Sequence, residues 1–103
     1  MRRLPYYMEM NRMVHIILDG NEMQNKEGVH LYLKYKLNIK EYYGNNLDAL
    51  WDALSTYNHS IKIVLIHSEQ MLENLGNYGE SIVSVFEDAA RENSNIVFQV
   101  IED

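Results

Sequence analysis

The chain has 103 residues, no cysteine and a formal charge of -6, with 47% hydrophobic and 23% charged residues. That length suits one compact domain with a real core and argues against wholesale disorder. It excludes a disulfide framework, a thiolate zinc site and a cysteine nucleophile. The acidic balance argues against direct nucleic-acid binding, and no apolar run approaches the roughly 20 residues that span a bilayer. A soluble domain of a reducing compartment is expected, with no membrane contact.

Charge is unevenly spread. Residues 1–40 carry seven basic and four acidic side chains, whereas residues 41–103 carry only Lys62 and Arg91 against eleven acids. The second segment therefore projects a negative field that suits a basic partner, or serves as a solvated surface kept for solubility.

Residues 1–12 read as a flexible N-terminal tail, because Arg2 and Arg3 are not followed by the apolar stretch of a signal peptide. Residues 13–103 read as a single domain. Met13–Leu18 is an apolar strand ended by the Asp19-Gly20 turn. Val29, Tyr32, Leu33 and Leu37 recur at helical spacing and predict a helix over 26–37. The Gly- and Asn-rich stretch 41–46 is a turn, and Asn45 or Asn46 caps a helix over 46–56 with Leu47, Leu50, Trp51 and Leu54 on its inner stripe.

Ile61–Ile66 reads as a second strand. Ser68 is expected to cap a short helix, Glu69–Leu75, closed by Gly76. Asn77, with Glu80 three residues on, resembles a capping box opening a helix to about Glu92. Asn95–Ile101 is the third strand. Strands separated by helices imply parallel pairing through crossovers. His15, Lys62 and Gln99 interrupt one face of the strands. The expected fold is therefore a small two-layer α/β domain, a three-stranded parallel sheet with helices mainly on one face.

Little in the chain points to cofactor chemistry. The four histidines lie in different elements without metal-ligand spacing, and neither a glycine-rich phosphate loop nor a GxSxG elbow occurs. No metal and no cofactor are expected. The carboxylates are more informative. With Leu47, Leu50, Trp51 and Leu54 facing inward, a rotation of about 100° per residue gathers Asp48, Asp52 and Ser55 on the flank beside Trp51. Tyr42, Tyr43 and Tyr57 bracket that helix, and Asp88 and Glu92 form a second i, i+4 pair. Three readings stand side by side: a paired-carboxylate hydrolase, a protein-binding face rimmed by tyrosine, and a solvated helix flank.

The string EYYGNNLDALWDAL, Glu41–Leu54, resembles the signature segment of the barstar family of ribonuclease inhibitors. The likeness begins at Leu18–Gly20, runs through the first helix, and resumes with GESIVSVFEDA, Gly79–Ala89, and the last strand. It implies a non-enzymatic, cytoplasmic inhibitor that plugs the active site of a basic, barnase-like ribonuclease. Under that resemblance, Asp52 takes the place of an RNA phosphate and Asp48 contacts neighbouring cations. Tyr42 covers the catalytic histidine, Ser55 and Tyr57 supply a hydroxyl and a ring, and Asp88 and Glu92 face an arginine. Asn46 and Trp51 shape the loop and helix. Ser55 stands for the family's usual Thr, Tyr57 for Trp, Asp88 for Glu and Thr56 for Gly. The alternatives are an immunity protein against a different toxin nuclease, or a family member without inhibitory activity.

Overall fold

A computed structural model describes residues 13–39 and 46–102. In chain order they form strand β1 (Val14–Asp19), a 3-10 turn (Gly20–Glu22), helix α1 (Lys26–Leu37) and helix α2 (Leu47–Ser55). Strand β2 (Ile61–Ile66), helix α3 (Ser68–Leu75), helix α4 (Asn77–Glu92) and strand β3 (Ile96–Ile101) follow. The strands pair in parallel in the order β1-β2-β3, with Ile16, Ile63 and Phe98 in one row and Leu18, Leu65 and Val100 in another.

The inner face of the sheet and the apolar stripes of the helices make one core. Ile61, Ile63 and Leu65 are buried with Val29, Leu33 and Leu37 of α1, Leu50 and Leu54 of α2, Met71 of α3, and Ile82, Phe86 and Ala89 of α4. Phe86 stacks on Phe98 with ring centroids 5.1 Å apart, which ties α4 to β3. On the other face, His15, Ile17, Val97, Gln99 and Ile101 are exposed and Lys62 is half-buried. Val64 alone is buried there, because it lies on the central strand with neighbours on both sides. The chain is thus an α/β domain of the expected type. No helix among the described residues is long and apolar enough to cross a membrane.

Two connections differ from expectation. Neither Ser68 nor Asn77 caps a helix; each is the first helical residue, after His67 and Gly76 respectively, and neither start has a side-chain cap bond. A single residue separates α3 from α4, so Gly76, at φ 59°, both ends one helix and starts the next. A left-handed residue without a Cβ turns the chain there at little cost. Gly20 is required for a different reason. A Cβ at that position would lie 1.9 Å from the His67 carbonyl oxygen, so the chain leaving β1 passes against the chain leaving β2 only as glycine.

A polar cluster fixes this end of the sheet. The Asp19 carboxylate accepts from the Asn21 amide at 2.9 Å and from His67 Nδ1 at 2.9 Å. The His67 hydrogen bond, followed by the Asn21 amide, holds the Asp19 carboxyl below the ordinary carboxylate range against the opposing effect of burial. The Asp19 backbone amide donates to the Tyr32 hydroxyl of α1 at 2.9 Å, giving the edge of the sheet a partner.

Candidate partner-binding face

Helix α2 begins where its sequence allows it. Asn46 has extended backbone, and its side-chain oxygen accepts from the Ala49 amide at 2.8 Å, satisfying one of the helix's orphan donors. Leu50 and Leu54 are fully buried, and Leu47, Trp51, Ala49 and Ala53 pack partly against the core. That packing fixes the rotation of the helix and turns Asp48 and Asp52 outward, where both are exposed. Ala49 and Ala53 share their apolar surface with the core, and Ala53 borders a cleft of about 550 Å³ that reaches Asn38, Tyr57 and His59.

Asp48 and Asp52 have no ion-pair partner among the described residues. Arg91 forms an ion pair with Asp88 one turn earlier on α4, and Lys62 stands on the outer face of β2. Asp48 lies in the first turn of α2, where the helix dipole favours an anion; Asp52, a turn later, lacks that support. Like charges at i, i+4 repel, so the pair raises the local negative potential, and Asp52 does so without any return in stability.

The rest of the expected set is arranged as follows. The Ser55 hydroxyl donates to the Asp52 carbonyl at 3.2 Å and the Thr56 hydroxyl to the same carbonyl at 2.8 Å, so both close the helix end. Tyr57 is half-buried, with its ring edge-on to His59 at 6.0 Å. Trp51 is half-buried and packs against the core. Asp88 is half-exposed and already engaged by Arg91, and Glu92 is exposed at the last residue of α4. Tyr42 lies outside the described residues.

The topology adds an electrostatic feature that side-chain counting misses. The chain leaves α2 to enter β2 and leaves α4 to enter β3, so both helix C-termini sit at the start of the sheet. Helix C-termini carry partial negative charge. Ser55 and Glu92, the last residues of the two helices, thus border a region where two dipoles and the carboxylates of Asp52 and Glu92 act in the same sense, while Asp88 is paired with Arg91. Such a region is suited to a cation or a cationic protein, and repels RNA.

Two residues that organise this end were absent from the expected set. The Asn93 side chain donates to the Leu54 carbonyl at 2.9 Å and to the Tyr57 carbonyl at 2.8 Å, and Asn95 donates to the Tyr57 carbonyl at 3.2 Å. The sequence places Asn95 at the start of the third strand, which begins at Ile96, and nothing local says that the partners of Asn93 lie 36 to 39 residues away.

Comparison with known proteins agrees with this architecture. Residues 13–102 match the family model described as Barstar (barnase inhibitor). The chain is also 40% identical over 78 residues to "Putative ribonuclease inhibitor YrdF" of Bacillus subtilis (strain 168), an alignment covering 75% of this chain and 86% of that protein. A match over the whole described fold, reinforced by that relative, shows that the chain belongs to the Barstar (barnase inhibitor) family.

Proposed function

We propose that this protein is a non-enzymatic inhibitor of a basic ribonuclease of the barnase type, acting in the cytoplasm by seating the acidic face of α2 in the nuclease active site. Family membership and the name of its relative support the ribonuclease-inhibitor role. The observation that carries the mechanism is the pair Asp48 and Asp52, exposed on one helix and without a cation partner among the described residues. A ribonuclease cleft holds fixed donors and cations preorganised for phosphate oxygens. A carboxylate on a packed helix can occupy such a site with little ordering cost and offers no bond to cleave. Asp52 is the phosphate mimic in this reading, and Asp48 engages the adjoining cations. Tyr42, Ser55 and Tyr57 complete the contact, with Asp88 and Glu92 reaching a cation at its edge.

The test is RNA cleavage by a basic extracellular ribonuclease, titrated with the wild-type chain and with Asp52→Ala. Wild type should silence the nuclease at stoichiometric concentration, and Asp52→Ala should require a large excess. Equal inhibition by both proteins would remove the phosphate-mimic mechanism.

One observation favours a second reading, an immunity protein directed at a different toxin nuclease. Asp88 is engaged within its own helix by Arg91, and Ser55, Thr56 and Tyr57 depart from the family's usual residues at the rim. Titrating a panel of basic nucleases separates the two, because the second reading predicts inhibition of a toxin nuclease outside the barnase type.

A further inference from the structure

The C-terminal ends of α2 and α4 are joined by one side chain. Asn93 follows the last residue of α4 with extended backbone, its amide donating to the Ala89 carbonyl at 2.8 Å. Both hydrogens of its side-chain amide are engaged, one on the Leu54 carbonyl at 2.9 Å and one on the Tyr57 carbonyl at 2.8 Å. Its side-chain oxygen accepts from the Asn95 amide at 3.0 Å, and Asn95 returns a 3.2 Å bond to the Tyr57 carbonyl. Leu54 and Tyr57 bracket Ser55, and Asn93 directly follows Glu92. The two halves of the candidate face are therefore linked through the Asn93 amide, with Asn95 beside it.

We infer that Asn93 is a positioning residue for partner binding, holding Tyr57 and the end of α2 in fixed relation to Asp88 and Glu92. This rests on the reading of the α2 face as an inhibitory surface. The physical reason lies in what the bridge replaces. The Leu54 carbonyl also accepts from the Tyr57 amide at 3.2 Å and the Tyr57 carbonyl from the Asn95 side chain at 3.2 Å, so each keeps a donor without Asn93. Core packing through Leu50, Leu54, Ile82 and Phe86 already holds the two helices together. The bridge thus adds little to folding; its main effect is to remove freedom from the segment that carries Tyr57. A rigid contact surface loses less entropy when the partner docks.

The experiment measures association and dissociation rates with a basic ribonuclease of the barnase type. It compares wild type, Asn93→Ala, Asn95→Ala, Tyr57→Ala, the double variant of Asn93 and Tyr57, and Asp52→Ala. A core variant, Ile82→Val, serves as a stability control. Asn93→Ala should dissociate about tenfold faster while its association rate and salt dependence stay at wild-type values, because no charge has changed. In the Tyr57→Ala background the same substitution should have less than about a twofold effect, since the group being positioned is gone. Asn95→Ala should show a smaller rise in the same direction, and Ile82→Val should lower Tm without altering dissociation.

Unchanged dissociation in Asn93→Ala, or an increase undiminished in the Tyr57→Ala background, overturns the inference. Should Asn93→Ala fail to fold, Asn95→Ala decides by itself: faster dissociation supports the clamp and a wild-type rate overturns it. An intact complex with Asp52→Ala but a loosened one with Asn93→Ala defeats the phosphate-mimic mechanism and leaves the clamp standing. The converse result defeats the clamp alone, and absence of any complex with wild type defeats both.

Discussion

His67 Nδ1 lies 2.9 Å from the Asp19 carboxylate, joining the residue after β2 to the last residue of β1. The bond closes the end of the sheet at which the strands finish, whereas α2 and α4 deliver their C-termini to the end at which the strands begin. Open α/β sheets commonly place ligands beyond the strands' carboxyl ends. Here that end is knitted by Gly20, Asn21 and His67, and the candidate face lies at the other. Substitutions at the two ends should therefore separate stability from partner binding.

Gly20→Ala is the sharpest test of the knitted end. The new methyl would meet the His67 carbonyl oxygen at 1.9 Å, a backbone atom that cannot rotate away. The two chain exits must move apart, at a cost of about 2–3 kcal/mol, typical of overpacking. Urea denaturation should show that loss, while the folded protein keeps its full inhibitory titre.

Two groups give stability a predictable dependence on pH. Burial pushes the His30 imidazole below the ordinary histidine value of 6.5. Protonation then opposes folding, so its contribution is complete above about 6.5 and declines as pH falls through the lowered folded value. Asp19 is held below the ordinary value of 3.8, chiefly by the His67 hydrogen bond. Its contribution is complete above that value and is lost as pH falls through the folded one. Urea midpoints from pH 7.5 down to pH 3 should fall in two stages. His30→Gln should flatten the upper stage and Asp19→Asn the lower.

These predictions rest on features that differ in how openly the sequence displays them. Strand β2 is legible because six consecutive residues from Ile61 to Ile66 contain a single charge, and α1 because its apolar residues keep the helical period. The caps at Ser68 and Asn77 are misplaced by one residue because their pattern leaves the turn angle open, and positive φ at His67 and Gly76 sets that angle. On the acidic face, periodicity alone turns Asp48 and Asp52 outward, whereas a partner for them enters only through family resemblance. Asn93 is invisible from sequence because its hydrogen bonds cross from the end of α4 to the end of α2. The burial of His30 is likewise hidden, since the Tyr78 ring that packs edge-on against it comes from α4, far along the chain.

Arg91→Ala should dissociate the two roles of the α4 carboxylates. The Asp88–Arg91 pair is solvent-exposed on both sides, so losing it should cost less than about 0.5 kcal/mol. The net charge moves from -6 to -7, and Asp88 becomes available to a cation of the partner. Stopped-flow association with a basic ribonuclease should become faster at low salt and more steeply dependent on ionic strength. A rate unchanged from wild type would mean that Asp88 takes no part in the encounter.

The two aspartates of α2 should respond to alanine differently in stability, Asp52→Ala gaining more than Asp48→Ala. Asp48 lies in the first turn, where its charge favours the helix N-terminus, so Asp48→Ala gives up a dipole interaction of about 0.3–1 kcal/mol that offsets what it gains in propensity and relieved repulsion. Asp52 has no such support. Its replacement removes a like-charge neighbour at i, i+4 and installs the residue with the best helix propensity. Asp52→Ala should therefore raise stability by about 0.5–1 kcal/mol while weakening ribonuclease inhibition more than Asp48→Ala does. Thermal denaturation and an inhibition titration on the same samples check both halves. A residue that makes the free protein less stable and the complex stronger is placed for its partner, and a drop in Tm on Asp52→Ala would show instead that the carboxylate serves the fold.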